Sequence, residues 1–328
     1  MREGKFIDQN VERWKNYLED SNDPDVQADK FIHLIDDLGY AKAHYPSSKT
    51  TQFLNGLAAR QFQKIYQYRK IDHSRLINFW RYELPLLFGK YRTIYLFTLL
   101  FFIMSVSVGV IASIHDRNFI RTILGDEYVD MTEENIQKGD PFGVYKQQNE
   151  FGMFVRIATN NIRVSFYTYV FGIVAGLGSL YMLFSNGIML GTFQHIFFAK
   201  GLGWKSILVI WIHGTLEISA IVIAGTAGII LGFSFIFPGT FSRIDSLKRG
   251  AKDSVKVVIG LIPFFLLAAF FEGYVTRYTD MPIAVSVTIL LLSAAIIIWY
   301  FIIYPGLLQR SGIIIQEGKV VFPSENIS

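Results

Sequence analysis

Residues 207–232 read ILVIWIHGTLEISAIVIAGTAGIILG, and this stretch decides the fold predicted for the whole chain. The run is apolar enough for a lipid bilayer, yet it contains His213 and Glu217. Because these residues are four positions apart, a helix places them on one face, one turn from each other. A carboxylate inside a membrane helix costs about 2.5–3.5 kcal/mol, so Glu217 requires a polar partner or a wet cavity. We therefore predict the packed middle helix of a polytopic bundle, with one polar face turned inward.

Small residues recur where this helix and the preceding apolar run would approach their neighbours. A helix with small residues at regular spacing lets a second backbone come close. The packing positions predicted on this basis are Gly172, Gly176, Gly225 and Gly228. The same small-residue faces are compatible with a homodimer.

The composition limits the class of protein. The 328 residues are 51% hydrophobic and 18% charged, with a mean hydropathy of +0.33, whereas soluble domains contain about 25% charged residues. The net charge of +4 comes mainly from clusters beside apolar runs, which indicates orientation charges and no nucleic-acid surface. With no cysteine, disulfides and thiolate metal sites are excluded. No cleavable signal peptide is recognised, so the first apolar run is expected to act as the insertion signal.

The pattern predicts an all-α membrane bundle of about six spans, one of them short. Residues 1–72 form an N-terminal cytoplasmic helical domain, with apolar stripes such as Phe31, Leu34, Leu38, Ala41 and Tyr45. A partner-docking groove is the alternative role for such stripes. Residues 73–92, where basic residues alternate with Trp80 and Phe88, predict an interfacial elbow helix kinked at Pro85.

The transmembrane domain is predicted at 93–308. An extracytoplasmic polar loop occupies 115–162, and a cytoplasmic tail follows at 309–328. The predicted spans are 93–114, 164–184, a short helix at 187–199 after a break at Ser185-Asn186-Gly187, then 207–237, 257–271 and 282–304. The pair Asn160-Asn161 is expected to cap the second span.

A basic loop after the central helix predicts the orientation. Its residues are Arg243, Lys248, Arg249 and Lys252. Positive residues concentrate on the cytoplasmic side, so this loop indicates a multi-pass protein of the cytoplasmic (inner) membrane. If four crossings precede the loop, both termini are cytoplasmic.

The intramembrane polar site is predicted from His213, Glu217, Glu272 and Asn186. Three roles remain open: a structural hydrogen-bond network, a proton-coupled or ion-conducting site, and a metalloprotease centre. Hydrolytic zinc helices read H-E-x-x-H, whereas this helix reads H-G-T-L-E, and His195 and Glu272 are the remaining intramembrane donors. We therefore predict no catalytic residue, no metal and no other cofactor.

Several stretches resemble the stage II sporulation protein M family. They are REGKFIDQNVERW at the N-terminus, FWRYELPLLF, NNIRVSF, SNGIMLG, HGTLEISAIVIAGTAGIILG, and FFEGYVT at 270–276. The most specific is HGxxE-x-x-A-x-x-I-A-G, and the resemblance extends to about Leu308. It implies a multi-span cytoplasmic-membrane protein, and its motifs include His213, Glu217 and Glu272. In spore-forming bacteria the namesake is a scaffold for enzymes that degrade peptidoglycan during engulfment, and many members occur in bacteria that form no spores.

Two hypotheses follow. In the first, the chain is a non-enzymatic scaffold whose partners are the lipid bilayer and envelope-remodelling proteins, and which binds no nucleic acid. In the second, it is a transporter or channel component, similar to an ABC permease subunit, which uses the polar face around Glu217.

Overall fold

The computed structural model describes residues 2–18, 24–67, 73–146, 149–279, 281–316 and 319–323. These residues are almost entirely helical, and they divide into two compact units, Met1–Ile77 and Asn78–Ser328. Residues 68–72, at the predicted domain boundary, and 324–328, at the end of the predicted tail, lie outside the described residues.

The first unit is built on three helices: α1 (Glu3–Asn16), α2 (Pro24–His44) and α3 (Lys49–Gln67). The stripe predicted on α2 faces its core, because Leu34, Leu38 and Ala41 are all buried. They pack with Trp14 of α1 and Leu54 of α3 in one hydrophobic cluster. This unit therefore has a core of its own.

A buried carboxylate ties α1 to α2. Asp37 accepts a hydrogen bond from Trp14 Nε1 at 2.8 Å and two from Arg13 Nη2 at 2.7 Å. Burying a carboxylate is costly unless it is paired and hydrogen-bonded, and here both conditions are met. Asp37 thus fixes the register of α2 against α1.

Helix α4 (His73–Asn78) includes the boundary between the two units, which falls after Ile77. The other described helices belong to the second unit. They are α5 (Leu84–Lys90), α6 (Arg92–His115), α7 (Arg117–Leu124), α8 (Asp126–Gln137), α9 (Glu150–Val170), α10 (Leu177–Ala199), α11 (Gly203–Ile236), α12 (Arg243–Gly260), α13 (Ile262–Phe270), α14 (Ile283–Ile298) and α15 (Tyr304–Arg310). Short 3-10 turns occupy Gly143–Lys146 and Phe171–Ile173. Strands β1 (Ile314–Gln316) and β2 (Lys319–Val321) form an antiparallel hairpin within the predicted tail.

Three wide π-helical turns interrupt this unit, at Phe79–Glu83, Phe271–Val275 and Trp299–Ile303. Two of them come shortly before a proline, Pro85 and Pro305. A proline ring clashes with the carbonyl four residues earlier and removes one hydrogen bond. A widened turn accommodates both effects, so the helix continues through Pro85. Residues 84–88 are all buried within the second unit, so this part of the predicted elbow packs into the bundle.

Four described helical segments are long and apolar enough to cross a membrane. They are Arg92–His115, Gly203–Ile236, Arg243–Val275 and Ile283–Arg310. α11 lies among the others and is buried over most of its length. The coarse prediction of a polytopic membrane bundle is thereby supported, whereas the count of six crossings stays a prediction.

The predicted break at Ser185-Asn186-Gly187 is wrong, and so are the span at 164–184 and the short helix at 187–199. α10 runs unbroken through these residues. Asn186 Nδ2 donates to Met182 O at 2.8 Å within the helix, and Gly187 packs against Ser105 of α6. The chain reverses instead between α9 and α10, where Ala175 and Gly176 have φ of 56° and 79°.

Two further boundary predictions are wrong. Asn161 is not a cap, because α9 begins at Glu150 and Asn161 is buried within it. The predicted 115–162 loop therefore contains α7, α8 and the first half of α9. The predicted basic loop is the first part of helix α12, where Arg249 stacks over the Phe241 ring with 4.1 Å between the guanidinium carbon and the ring centroid.

The 3-10 turn that follows α9 packs closely against α11. A Cβ on Gly172 would lie 2.2 Å from Gly228 O, and a Cβ on Gly228 would lie 2.0 Å from Ser179 Oγ of α10. Ser179 Oγ in turn donates to Thr168 O at 2.6 Å. These small residues, which the sequence showed to be compatible with a homodimer, therefore pack within one chain.

The two ends of the second unit differ in their ion pairs. At one end, Asp253 of α12 is buried and accepts from Lys90 Nζ at 2.6 Å and from Tyr91 Oη at 2.8 Å. Burial, with a smaller effect of the Asp253 carboxylate, raises the pKa of Tyr91. At the other end, Lys200 follows α10 and its Nζ lies 3.2 Å from Glu133 Oε1 of α8. α8 thus lies at the end of the bundle where α10 finishes and α11 begins.

Candidate functional site

Three ionisable side chains converge inside the second unit. His213 and Glu217 come from α11, and Glu272 comes from the π-helical turn Phe271–Val275. Each offers one ligand atom, and these three atoms all lie within 4.8 Å of one another. The distance from His213 Nε2 to Glu272 Oε2 is 3.8 Å. The helical spacing predicted the first pair, and the tertiary fold brings Glu272 to it.

The π-helical turn explains how Glu272 reaches α11. An extra residue in the turn rotates the side chains that follow, and such turns are frequent at functional sites. Gly273, the next residue, approaches the start of α9 so closely that a Cβ there would lie 3.2 Å from Glu150 O. Gly273 therefore lets the end of this helix pack against α9 while Glu272 turns toward α11.

Thr276 orients the imidazole. It is buried, and its Oγ1 lies 3.0 Å from His213 Nδ1. If the threonine oxygen accepts the Nδ1 proton, the lone pair of the imidazole is on Nε2, the nitrogen that faces Glu272. A fixed tautomer of this kind is how proteins orient histidine ligands and bases. Thr276 was not among the predicted site residues.

Asn161 is the second residue that the sequence prediction missed. It is 5% exposed, and its side chain interacts with Glu217. No described residue offers its Nδ2 a hydrogen bond of normal geometry, and the same holds for Ser165 Oγ, one turn along α9. Buried polar atoms without a partner are rare in folded proteins. The spacing of Asn161, Ser165 and Thr168 on one face of an apolar helix was the signal that would have revealed them.

Helix α8 lies near the cluster. Burial raises the pKa of Tyr128 to about 12; a hydrogen bond with Thr132 opposes this rise, and the negative charge of Glu272 adds to it. The nearest arginine along the chain, Arg277, lies with its Nη1 2.8 Å from Glu150 Oε1. The site is therefore closer to the α8 end of the bundle than to the end that carries Asp253.

Two sets of predicted residues do not join this cluster. The side chain of Asn186 donates to the backbone of its own helix, at Met182 O, and His195 is not a member of the group of three ligand residues. The basic residues at the start of α12 lie about 30–44 Å from Glu272 along the helix, at about 1.5 Å per residue. Their charges are too distant to balance those of the cluster.

The chemistry of the cluster is that of a cation site or a proton relay. The ligand oxygens of the two glutamates lie within 4.8 Å of each other, and two charges at that separation repel by at least roughly 3 kcal/mol at an effective dielectric constant of about 20. One imidazole and two carboxylates together offer nitrogen and oxygen donors to a positive ion. His213 is buried and both glutamates are partly buried, so two ionised carboxylates here are unfavourable unless a cation or a protonated His213 compensates their charge.

Comparison with known proteins gives two family matches. Residues 4–67, which include most of the first unit, match a domain of unknown function, DUF8413. Residues 98–277 match the family model described as stage II sporulation protein M. Neither a search of the curated proteins nor a search of the solved structures found a match. The second match covers more than half of the chain and contains Asn161, His213, Glu217, Glu272 and Thr276. The chain therefore belongs to the stage II sporulation protein M family.

Proposed function

We propose that the chain is a non-enzymatic scaffold of the cytoplasmic membrane that holds envelope-remodelling or peptidoglycan-remodelling proteins in place. The observation that carries this proposal is the first helical unit, which has its own core and, among its described residues, contributes none to the cluster of His213, Glu217 and Glu272. A bundle that served only to hold the cluster would not require such a unit. Family membership adds the expectation of a membrane scaffold.

The first unit offers an apolar surface outside its core. Ile32 is 57% exposed and Ile35 is 43% exposed, and both lie on one face of α2. Exposed aliphatic side chains one turn apart suit the contact of a partner helix. We propose this face of α2 as a protein-binding surface on the cytoplasmic side.

The helices α7 and α8 form the second proposed surface, on the extracytoplasmic side. Arg121 bridges them through hydrogen bonds to Asp126 at 3.0 Å and Asp130 at 2.7 Å, and these two carboxylates raise the pKa of Arg121. Surface ion pairs of this kind add little stability. They do fix the shape of a charged surface, which favours recognition of a polar partner.

Site-specific photo-cross-linking in native membranes tests the scaffold. A photoreactive residue placed at Ile32 or Ile35 is expected to give discrete protein adducts, which mass spectrometry then identifies. The matched position is Leu100 of α6, which is apolar and exposed along a predicted span, and there the same residue should capture lipid. If Ile32, Ile35 and positions on α7 and α8 give no discrete protein adduct, the scaffold proposal is contradicted.

The second candidate function is transport, and the convergence of His213, Glu217 and Glu272 is the observation that favours it. Glu217→Gln removes the charge and keeps the size of the side chain. Under the transport hypothesis this variant loses a transport-dependent phenotype but folds normally and gives the same cross-linked partners as the unmodified chain. Loss of folding would indicate that Glu217 has a structural role only.

A further inference from the structure

We propose that His213, Glu217 and Glu272 bind one divalent transition-metal ion of the Zn²⁺ type. His213 offers Nε2, and each glutamate offers one carboxylate oxygen. This inference goes beyond the scaffold function and does not depend on it. No reaction of the ion is part of the proposal.

The distances suit a site that closes slightly around an ion. With metal–ligand bonds of about 2.0–2.2 Å in a tetrahedral arrangement, neighbouring ligand atoms lie roughly 3.4 Å apart. His213 Nε2 and Glu272 Oε2 are 3.8 Å apart, and all three ligand atoms are within 4.8 Å. Glutamate side chains have three rotatable bonds, so small rotations of Glu217 and Glu272 close the difference.

The charges of the site match a divalent cation. Two ionised carboxylates and a neutral imidazole carry a charge of −2, and one divalent ion brings the total to zero. Glu272 also faces Tyr128 of α8, which is a neutral phenol, while Arg277 is paired with Glu150. Neither of these neighbours neutralises the negative charge of the two carboxylates, and a bound divalent ion does.

Asn161 provides an independent indication of a ligand. Its side chain interacts with Glu217, but its buried amide nitrogen forms no hydrogen bond of normal geometry with any described residue. An amide in this position can donate to a metal-bound water, or turn over and present its carbonyl oxygen to the ion. The first arrangement gives the amide nitrogen an acceptor of normal geometry, and the second adds an oxygen ligand to the ion.

The donors also indicate which metal is preferred. A site with imidazole nitrogen and carboxylate oxygen favours Zn²⁺ and its neighbours in the transition series over Mg²⁺ and Ca²⁺, which prefer oxygen ligands alone. Three protein ligands leave a fourth position open for water or for Asn161. Thr276 supplies the outer hydrogen bond that holds His213 in the required tautomer.

Metal binding by the full chain in lipid nanodiscs tests the proposal. The protein is purified with a tag that contains no histidine, treated with a chelator, and titrated with Zn²⁺ or with Co²⁺ as a spectroscopic probe. Because the chain has no cysteine, a cobalt spectrum reports nitrogen and oxygen ligands without thiolate bands. We expect one equivalent of either ion per chain, with the visible bands of four-coordinate cobalt.

Variants assign the binding to this site. His213→Ala and Glu272→Gln should each weaken Zn²⁺ binding by at least 100-fold, and Thr276→Val by about 10–100-fold. The matched control is His195→Ala, which removes a histidine of the same unit outside the cluster and should leave binding unchanged. The proposal is overturned if the unmodified chain binds less than one equivalent, or if His213→Ala binds Zn²⁺ as tightly as the unmodified chain. The titration of the unmodified chain decides the matter even if a variant fails to fold.

Discussion

Gly228→Ala is expected to destabilise the bundle strongly, by about 2–3 kcal/mol. The new Cβ would lie 2.0 Å from Ser179 Oγ and 2.9 Å from the backbone oxygens of Thr168 and Tyr169. Rotating Ser179 away would break its hydrogen bond to Thr168 O and would leave the two backbone contacts in place. Two helices must therefore move apart, which also separates Gly172 from α11.

Gly214→Ala is the matched control for this prediction. Gly214 lies on the same helix and is buried, but a Cβ there would have no neighbouring atom within 4 Å. Because alanine is favoured over glycine inside a helix by about 0.5–1 kcal/mol, this variant should be as stable as the unmodified chain or slightly more so. The measurement is thermal unfolding in nanodiscs, where Gly228→Ala should melt on the order of 5–10 °C lower. Equal melting temperatures for the two variants would contradict the packing of α9 and α10 on α11.

Trp14→Ala is expected to unfold the N-terminal unit. Trp14 is 3% exposed, packs edge-to-face on Phe6 with 5.4 Å between ring centroids, and donates to Asp37. Removing a buried tryptophan costs about 3–5 kcal/mol. A helical unit of this size has about 3–5 kcal/mol of stability in total, so the substitution removes most or all of it.

A fragment of residues 1–72 is the material for this test. The unmodified fragment should be helical by circular dichroism and should melt cooperatively, whereas Trp14→Ala should show neither property. Ile32→Ala is the control, because a side chain that is 57% exposed contributes little and its loss should cost less than about 1 kcal/mol. An unmodified fragment that is unfolded, or a Trp14→Ala fragment that melts near the unmodified temperature, would contradict the independent core.

The central helix and the N-terminal core could be predicted from the sequence because each depends on a regular pattern. α11 required only a long apolar run and the four-residue spacing of His213 and Glu217. The core of the first unit required only the recurrence of Leu34, Leu38 and Ala41. These patterns are local. In the structure, Leu34, Leu38, Ala41 and His213 are buried, as their spacing predicted.

The break between α9 and α10 could not be predicted from local signals. Ser185-Asn186-Gly187 has the composition of a turn, yet Gly187 is there because α6 passes close to α10. The true reversal follows from the positive φ of Ala175 and Gly176, and Ala175 gives no sign of it in the sequence. Tertiary packing therefore determines whether the chain reverses at residues 175–176 or at residues 185–187.

The candidate site also combines features that local sequence patterns predict with features that depend on tertiary packing. The pair on α11 followed from helical periodicity, and Glu272 was named as a candidate partner. The position of the Glu272 side chain beside α11 depends on a π-helical turn and on the close contact of Gly273 with α9. Neither feature can be recognised from the spacing of residues in the sequence. Asn161 was interpreted as a cap because the helix was predicted to begin there, although its burial fits a role beside Glu217.

The central claim about the second unit is that α11 crosses the membrane and carries the cluster within the bundle. Labelling of single cysteines tests it directly, because the natural chain has none to remove. Lys205→Cys and Thr240→Cys place an exposed thiol near each end of α11. With a membrane-impermeant maleimide on intact cells and on inverted vesicles, the two positions should label from opposite sides, Thr240→Cys from the cytoplasm. Labelling of both positions from the same side would contradict the account.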